Sequence, residues 1–385
     1  MAVLRNCLQG QDVSRRRSSR RERHRSAHFR SAPDEIMNSP YRKNASPRPL
    51  VLVTRALGLP RGATGLLCQL EPPELSDGAS SDHNGSQGHR DLLTKSTHSV
   101  EARYTTDLVT SSDGTIISYR QLGRGQGVVL VHGGMSSAQN HLELAQALAD
   151  AFSVYLPERR GRCGSGPFGA DYCIQKEVED LEALLARTGS SNVFGVSSGG
   201  LIVLEAALSS PLIRKAAIFE PALFLDRSIP AAVLTRLDRE IEGGKIAAAL
   251  ITGMKGAQMG PAILRALPRR LLEFLANTAM KAEDKHPNTD YLPVRALAAT
   301  LHYDSQLAVE MCCKVEPFKS VRAEVLLMGG SKSPAYLKVS LDKLEQVLPK
   351  VRRIEFRGLN HAASWNTDRG GRPKPVAREL RQFFS

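Results

Sequence analysis

The residues best suited to covalent chemistry stand near the middle of the chain, in Gly195-Val196-Ser197-Ser198-Gly199. β-forming residues precede this G-x-S-x-G pentapeptide and an apolar run from Leu201 to Leu208 follows it, so the spacing predicts a strand, a sharp turn and a helix. Such a turn lifts Ser197 above the end of a sheet. Gly195 and Gly199 suit it because strand and helix approach too closely for a Cβ and the turn strains the backbone. A serine hydroxyl is a poor nucleophile at neutral pH. It needs an imidazole within hydrogen-bond reach, a third group to hold that imidazole in one tautomer, and N–H donors facing the oxygen on which negative charge develops.

The elements that must position these groups are legible from about Tyr104 onward. Thr105 to Thr110 and Thr115 to Gln121, joined by Ser112-Asp113-Gly114, read as a β-hairpin. Gly127 to Val131 is a continuous apolar run, as expected of a strand covered on both faces, and it ends in His132-Gly133-Gly134-Met135. Ser136 or Ser137 can cap the next helix, which carries Leu142, Ala145 and Leu148. A strand over Phe152 to Leu156 runs into Arg159-Arg160-Gly161-Arg162-Cys163-Gly164-Ser165-Gly166, and a helix striped with Val178, Leu181, Leu184 and Leu185 stops at Gly189. Lys215 to Phe219, ending at Glu220-Pro221, is the strand after the elbow. This alternation with short loops predicts an α/β fold with a mostly parallel, doubly wound sheet. Residues 222–318 interrupt it with a helical pattern, expected to be a cap. It resumes with Glu324 to Met328, a helix bearing Leu337, Leu341, Leu344 and Leu348, a strand over Arg352 to Phe356, the loop Gly358-Leu359-Asn360-His361, and a last helix with Val376, Leu380, Phe383 and Phe384. The division expected is a tail over 1–103, a core over 104–221 and 319–385, and a cap over 222–318.

At 385 residues and 42% hydrophobic, the chain is long enough for a large core. Its net charge of +13 is uneven: the first hundred residues hold 16 Lys and Arg against 9 Asp and Glu. That stretch shows no sustained period and reads as a disordered basic tail. Arg15 to Arg25 within it is compatible with a nuclear address, an RNA-contacting arm or a transit peptide, and Leu50 to Leu67 with a satellite helix. The charge left for the folded part gives no reason to expect nucleic acid there. Six cysteines without a C-x-x-C pair indicate neither a zinc site nor a disulfide framework, and no apolar run is long enough to span a membrane. A cytoplasmic protein acting on a small molecule is expected, with mitochondrial or nuclear location through the tail as the alternative. No metal or nucleotide motif is present, so no cofactor is expected.

The order of parts resembles the α/β-hydrolase superfamily over residues 104–385, carried by the HGG turn at His132 to Gly134, the segment Arg159 to Gly166, the elbow, the cap and the late His361. It looks most like capped, cofactor-free, esterase-like members. Of ten histidines, His361 is the one placed to act as general base: five lie in the tail, His286 and His302 in the cap, His141 on a helix, and His132 in a turn where the resemblance implies a structural role. The resemblance assigns the oxyanion donors to the N–H groups of Gly134 and Ser198. Most members carry an aspartate after the strand that here is Glu324 to Met328, yet Gly329-Gly330-Ser331 follows it. An alternative in the superfamily moves the acid one strand earlier, which selects Glu220, while Asp304 is a second candidate or a helix cap, and Ser333 or a water can stand in. Met135 and Trp365 are expected to touch substrate. Cys163 reads as packing, and Arg159, Arg160 and Arg162 either fix their loop or meet an anionic substrate. The implied activity is hydrolysis of an ester, thioester or lactone of a small apolar or aromatic substrate through an acyl-enzyme on Ser197. Carbon-carbon bond hydrolysis, a lyase, or a non-catalytic ligand-binding protein on the same fold are the alternatives.

Overall fold

The computed structural model describes residues 104–260, 266–286 and 290–385; the expected tail, with its Arg-rich run and satellite helix, lies outside them. Eight strands form one sheet in the order β1-β2-β4-β3-β5-β6-β7-β8. They are β1 (Thr105–Thr110), β2 (Ile116–Leu122), β3 (Gln126–Val131), β4 (Phe152–Pro157), β5 (Asn192–Val196), β6 (Lys215–Phe219), β7 (Glu324–Gly330) and β8 (Val351–Phe356). β1 pairs antiparallel with β2, and β2 antiparallel with β4; every later pairing is parallel. The hairpin is therefore an antiparallel edge on a parallel sheet. Asp113 Oδ1 accepts the Thr115 N–H at 3.0 Å and sets that turn.

The middle strands are apolar on both faces because both are covered. On one face, helices α2 (Ile174–Thr188), α3 (Ser198–Ser209), α8 (Leu301–Met311) and α9 (Ala335–Val347) meet Val129, Val131, Val193, Ile218 and Leu327. On the other, α1 (Leu142–Gln146) and α10 (Pro373–Phe384) meet Val128, Leu130, Phe194, Phe219 and Met328. α3 is buried almost all round, as its unbroken run of Leu, Ile, Val and Ala requires. α2 ends where Gly189 takes a left-handed φ of 65° that a side chain would resist.

Between β6 and β7 the chain leaves the sheet for α4 (Ser228–Glu242), α5 (Ile246–Gly256), α6 (Arg269–Lys285), α7 (Val294–Ala299) and then α8. The first four share an apolar cluster of their own, centred on Leu237, Leu250, Leu272, Met280 and Val294. By contrast, Leu307, Ala308 and Met311 of α8 pack into the large cluster against the sheet. The helical insertion thus has its own small core, and its last helix is bonded into the main one. Among the described residues no helix is long and apolar enough to cross a membrane.

Candidate active site

β5 delivers Ser197 at the carboxyl edge of the sheet with φ 57° and ψ −122°, a strained conformation for a residue with a side chain. The turn is held by Ser197 N–H donating to Phe219 O at 3.1 Å and Ala222 N–H donating to Ser197 O at 3.2 Å. The glycines serve close approach rather than dihedral freedom. A Cβ on Gly199 would lie 2.5 Å from the carbonyl oxygens of Val131 and His132, and one on Gly195 would lie 2.7 Å from Val203 Cγ2. Ser197 sits at the N-cap of α3, whose dipole favours negative charge there.

Glu220 leaves β6 with φ 45° and is fully buried. Its Oε2 lies 2.7 Å from His361 Nδ1, and its Oε1 accepts the Gly330 N–H at 2.6 Å. Nδ1–H therefore points at the carboxylate, which leaves Nε2 as the basic nitrogen. The absent aspartate after β7 now has a physical counterpart. Gly329 leaves room for the incoming acid, since a Cβ there would stand 3.1 Å from Glu220 Oε1. Gly330 lets the histidine loop lie on the strand, where a Cβ would meet Asn360 N at 2.8 Å. In the sequence this glycine pair shows only as a missing carboxylate; its doubled absence of side chains is the signal of a close approach.

Asp304 is bonded to groups other than the imidazole. Its Oδ1 accepts from Arg159 Nη1 and Ser198 Oγ, each at 2.8 Å, and its Oδ2 from Arg162 Nη2 at 3.0 Å. Burial alone would raise its pKa, but the two guanidiniums outweigh burial and hold the carboxyl below its ordinary range. Arg159 also meets Glu177 at 2.8 Å, and Arg160 meets Asp180 at 2.7 Å and Asp113 at 2.8 Å. These three arginines are therefore engaged within the protein, not offered to an anionic ligand. Ser333 Oγ, the other substitute for the acid, is buried without a hydrogen-bond partner. Cys163, expected as packing, is exposed.

The same network borders the turn after β3. A Cβ on Gly134 would lie 3.1 Å from Asp304 Oδ2, so the carboxylate stands directly beside the backbone assigned to the oxyanion, and Ser198 is bonded to it through its hydroxyl. Asp304 touches both residues of that pair while its charge is neutralised by Arg159 and Arg162. His132 completes the turn. Its Nε2 accepts the Arg159 N–H at 3.2 Å, so Nδ1 carries the hydrogen and donates to Gly133 O at 2.9 Å. Burial, with Arg162 and Arg159 adding repulsion, pushes its pKa well below the ordinary value, and it stays neutral.

Ser197, His361, Gly134, Ser198, Met135 and Trp365 all line one cavity of about 1230 Å³ between the sheet edge and the helical insertion. Met135, at φ 52°, also packs on the insertion's apolar cluster. Among the described residues, no group of three or more His, Cys, Asp or Glu is arranged to hold a metal ion.

Residues 128–379 match the Alpha/beta hydrolase family. The chain belongs to that family. A solved alpha/beta hydrolase from Sphaerobacter thermophilus DSM 20745 is 30% identical, with a TM-score of 0.58, and the match covers 72% of this chain and all of that one. The pimeloyl-[acyl-carrier protein] methyl ester esterase of Stenotrophomonas maltophilia is 28% identical over 218 residues, 54% of this chain and 83% of that protein. An uncharacterized hydrolase of Bacillus subtilis is 32% identical over 102 residues; the match spans 26% of this chain and 38% of the Bacillus protein's length. A thermophilic esterase from Thermogutta terrifontis shares the fold at a TM-score of 0.55 and 15% identity.

Proposed function

We propose that this protein is a serine hydrolase of carboxylic esters, thioesters or lactones, with Ser197 as nucleophile, His361 as general base and Glu220 as the acid that orients it. The observation that carries the reading is the 2.7 Å contact of His361 Nδ1 with a carboxylate buried behind it, beside a cavity that Ser197 also lines. In the first half-reaction Ser197 Oγ adds to the substrate carbonyl while His361 Nε2 takes its proton. The imidazolium so formed is stabilised by Glu220, which among the described residues has no other cation bonded to it. The carbonyl oxygen, becoming an alkoxide, is received by the N–H groups of Gly134 and Ser198. Ser198 is the first residue of α3, where backbone N–H groups have no partner within the helix. His361 then returns the proton to the leaving alcohol or thiol. In the second half-reaction His361 draws a proton from the water that attacks the acyl-enzyme and hands it to Ser197 Oγ as the acyl bond breaks and the acid is released. The cap forms the far wall, and Val233, Leu250, Met254 and Leu297 give it apolar character suited to an acyl chain or ring.

Turnover of a panel of p-nitrophenyl esters tests this. The full chain is expected to release p-nitrophenol, and Ser197→Ala to reduce kcat/KM by roughly 10⁴-fold or more. A Ser197→Ala protein that keeps the parental rate overturns the assignment.

A further inference from the structure

We propose that the cavity takes a substrate carrying a carboxylate at the end remote from the scissile bond, and that Arg369 receives that carboxylate. The cleavage half of this statement rests on the hydrolase reading above; the binding half does not.

Charge in the cavity wall is divided by element. The insertion supplies an apolar wall, whereas the loops after β7 and β8, which flank His361, contribute Lys332, Arg369 and Arg372. Asp304 is the one Asp or Glu of the lining among the described residues, and two guanidiniums already hold it. Lys332 and Arg372 are exposed, and water can solvate them. Arg369 is 8% exposed. Its guanidinium lies over the Tyr291 ring at 3.6 Å, its Nε has no hydrogen-bond partner, and among the described residues no carboxylate lies within ion-pair distance of it.

The other buried arginines make the contrast plain. Arg159, Arg160 and Arg162 each reach a carboxylate at 3.0 Å or less. The acids whose charge is felt at Arg369 have other partners: Asp368 accepts from Tyr291 Oη at 2.9 and 3.0 Å, and Glu283 Oε2 accepts the Val294 N–H at 2.8 Å. A guanidinium stays charged when buried, and a buried charge without an ion-pair partner is costly. A ligand carboxylate would remove that cost, because the planar fork of N–H donors matches two carboxylate oxygens.

The site is also held in place before any ligand arrives. Asn366 Nδ2 donates to Gln139 O at 2.7 Å and to Tyr291 Oη at 2.9 Å, and Arg369 N–H donates to Asn366 O at 3.0 Å. Little ordering therefore remains to be done on binding. An apolar wall with a cationic end fits a hydrocarbon spacer that joins an ester or lactone carbonyl to a free acid.

Trp365, the chain's single tryptophan, lines the same cavity and gives a readout that does not depend on turnover. Fluorescence titration of the full chain with dicarboxylic acid monomethyl esters of increasing spacer length, against methyl alkanoates of equal length, tests the binding. At least one acid-bearing member is expected to bind about tenfold or more tightly than its neutral counterpart. Arg369→Met should reduce that ratio by about 10- to 100-fold, and Arg369→Lys should restore part of it. Circular dichroism and a thermal melt check that the variants fold. If Arg369→Met does not fold, competition by the free dicarboxylates against a neutral methyl ester in the parent protein decides. Equal affinity of the parent for both series, an unchanged ratio in Arg369→Met, or no competition overturns the proposal. Hydrolysis of the same compounds is scored separately: acid-selective binding without cleavage would contradict the hydrolase reading and leave the Arg369 site standing.

Discussion

Glu220 leaves β6 with its carboxylate bonded to one backbone N–H and one imidazole, whereas Asp304 leaves α8 with its carboxylate bonded to two guanidiniums and a hydroxyl. Both side chains are buried, and both stand close to the residues around Ser197. Their partners separate them. A carboxylate already neutralised by Arg159 and Arg162 has no charge to spare for a histidine, and its work is to join the insertion's last helix to the turn at Gly134 and the start of α3. A carboxylate bonded to His361 and, among the described residues, to no cation can hold that ring in a single tautomer and stabilise it when it is protonated. Burial alone does not separate these two carboxylates; what each of them touches does.

The largest effect expected from breaking this comparison is on turnover in Glu220→Gln. The amide keeps the shape but cannot stabilise an imidazolium, so kcat should fall by roughly 10³- to 10⁴-fold while the melting temperature changes little. Asp304→Asn should reverse the pattern. It leaves Arg162 without its carboxylate and Arg159 with one partner fewer, a cost of about 3–5 kcal/mol in stability, read from urea unfolding, with a loss in kcat of about tenfold. If instead Asp304→Asn matched Glu220→Gln in rate and kept full stability, the division of labour would be wrong.

A smaller effect is expected in pH. His132 and His141 are fully buried; burial is the leading cause that holds His132 well below the ordinary value and brings His141 to about 4. In the unfolded chain both take up protons near pH 6.5, which the folded chain resists, so stability is full above that value and falls as pH drops toward about 4. The slope should reach up to about 1.4 kcal/mol per pH unit for each ring. Asp304 acts in a separate window: with its folded pKa lowered, its contribution persists above the ordinary carboxylate range and is lost only as pH falls below it. Urea midpoints between pH 7 and pH 5 check the first window, and His141→Gln should flatten the slope.

The strands were readable to within a residue or two because a covered parallel sheet demands continuous apolar runs, as in Val128 to Val131 and Ala216 to Phe219. The elbow was readable because one strained turn needs local glycines. Glu220 and His361 are 141 positions apart, and nothing local in Phe219-Glu220-Pro221 distinguishes an acid aimed at an imidazole from one aimed at water. Arg159 and Arg162 lie 145 and 142 positions before Asp304, so the sequence left both a loop brace and an anion site open, with the resemblance favouring the brace. Nothing local marks Arg369: its meaning lies in lacking a carboxylate partner among the described residues, and a missing partner is a property of three dimensions.

The proposed chemistry depends first on Ser197 being an activated nucleophile. Treatment of the full chain with a fluorophosphonate, followed by mass-spectrometric mapping of the modified peptide, tests it most directly. One adduct is expected, on Ser197, absent in Ser197→Ala and formed far more slowly in His361→Ala and Glu220→Gln. An adduct on another residue, or labelling at Ser197 with an undiminished rate in His361→Ala, would contradict it.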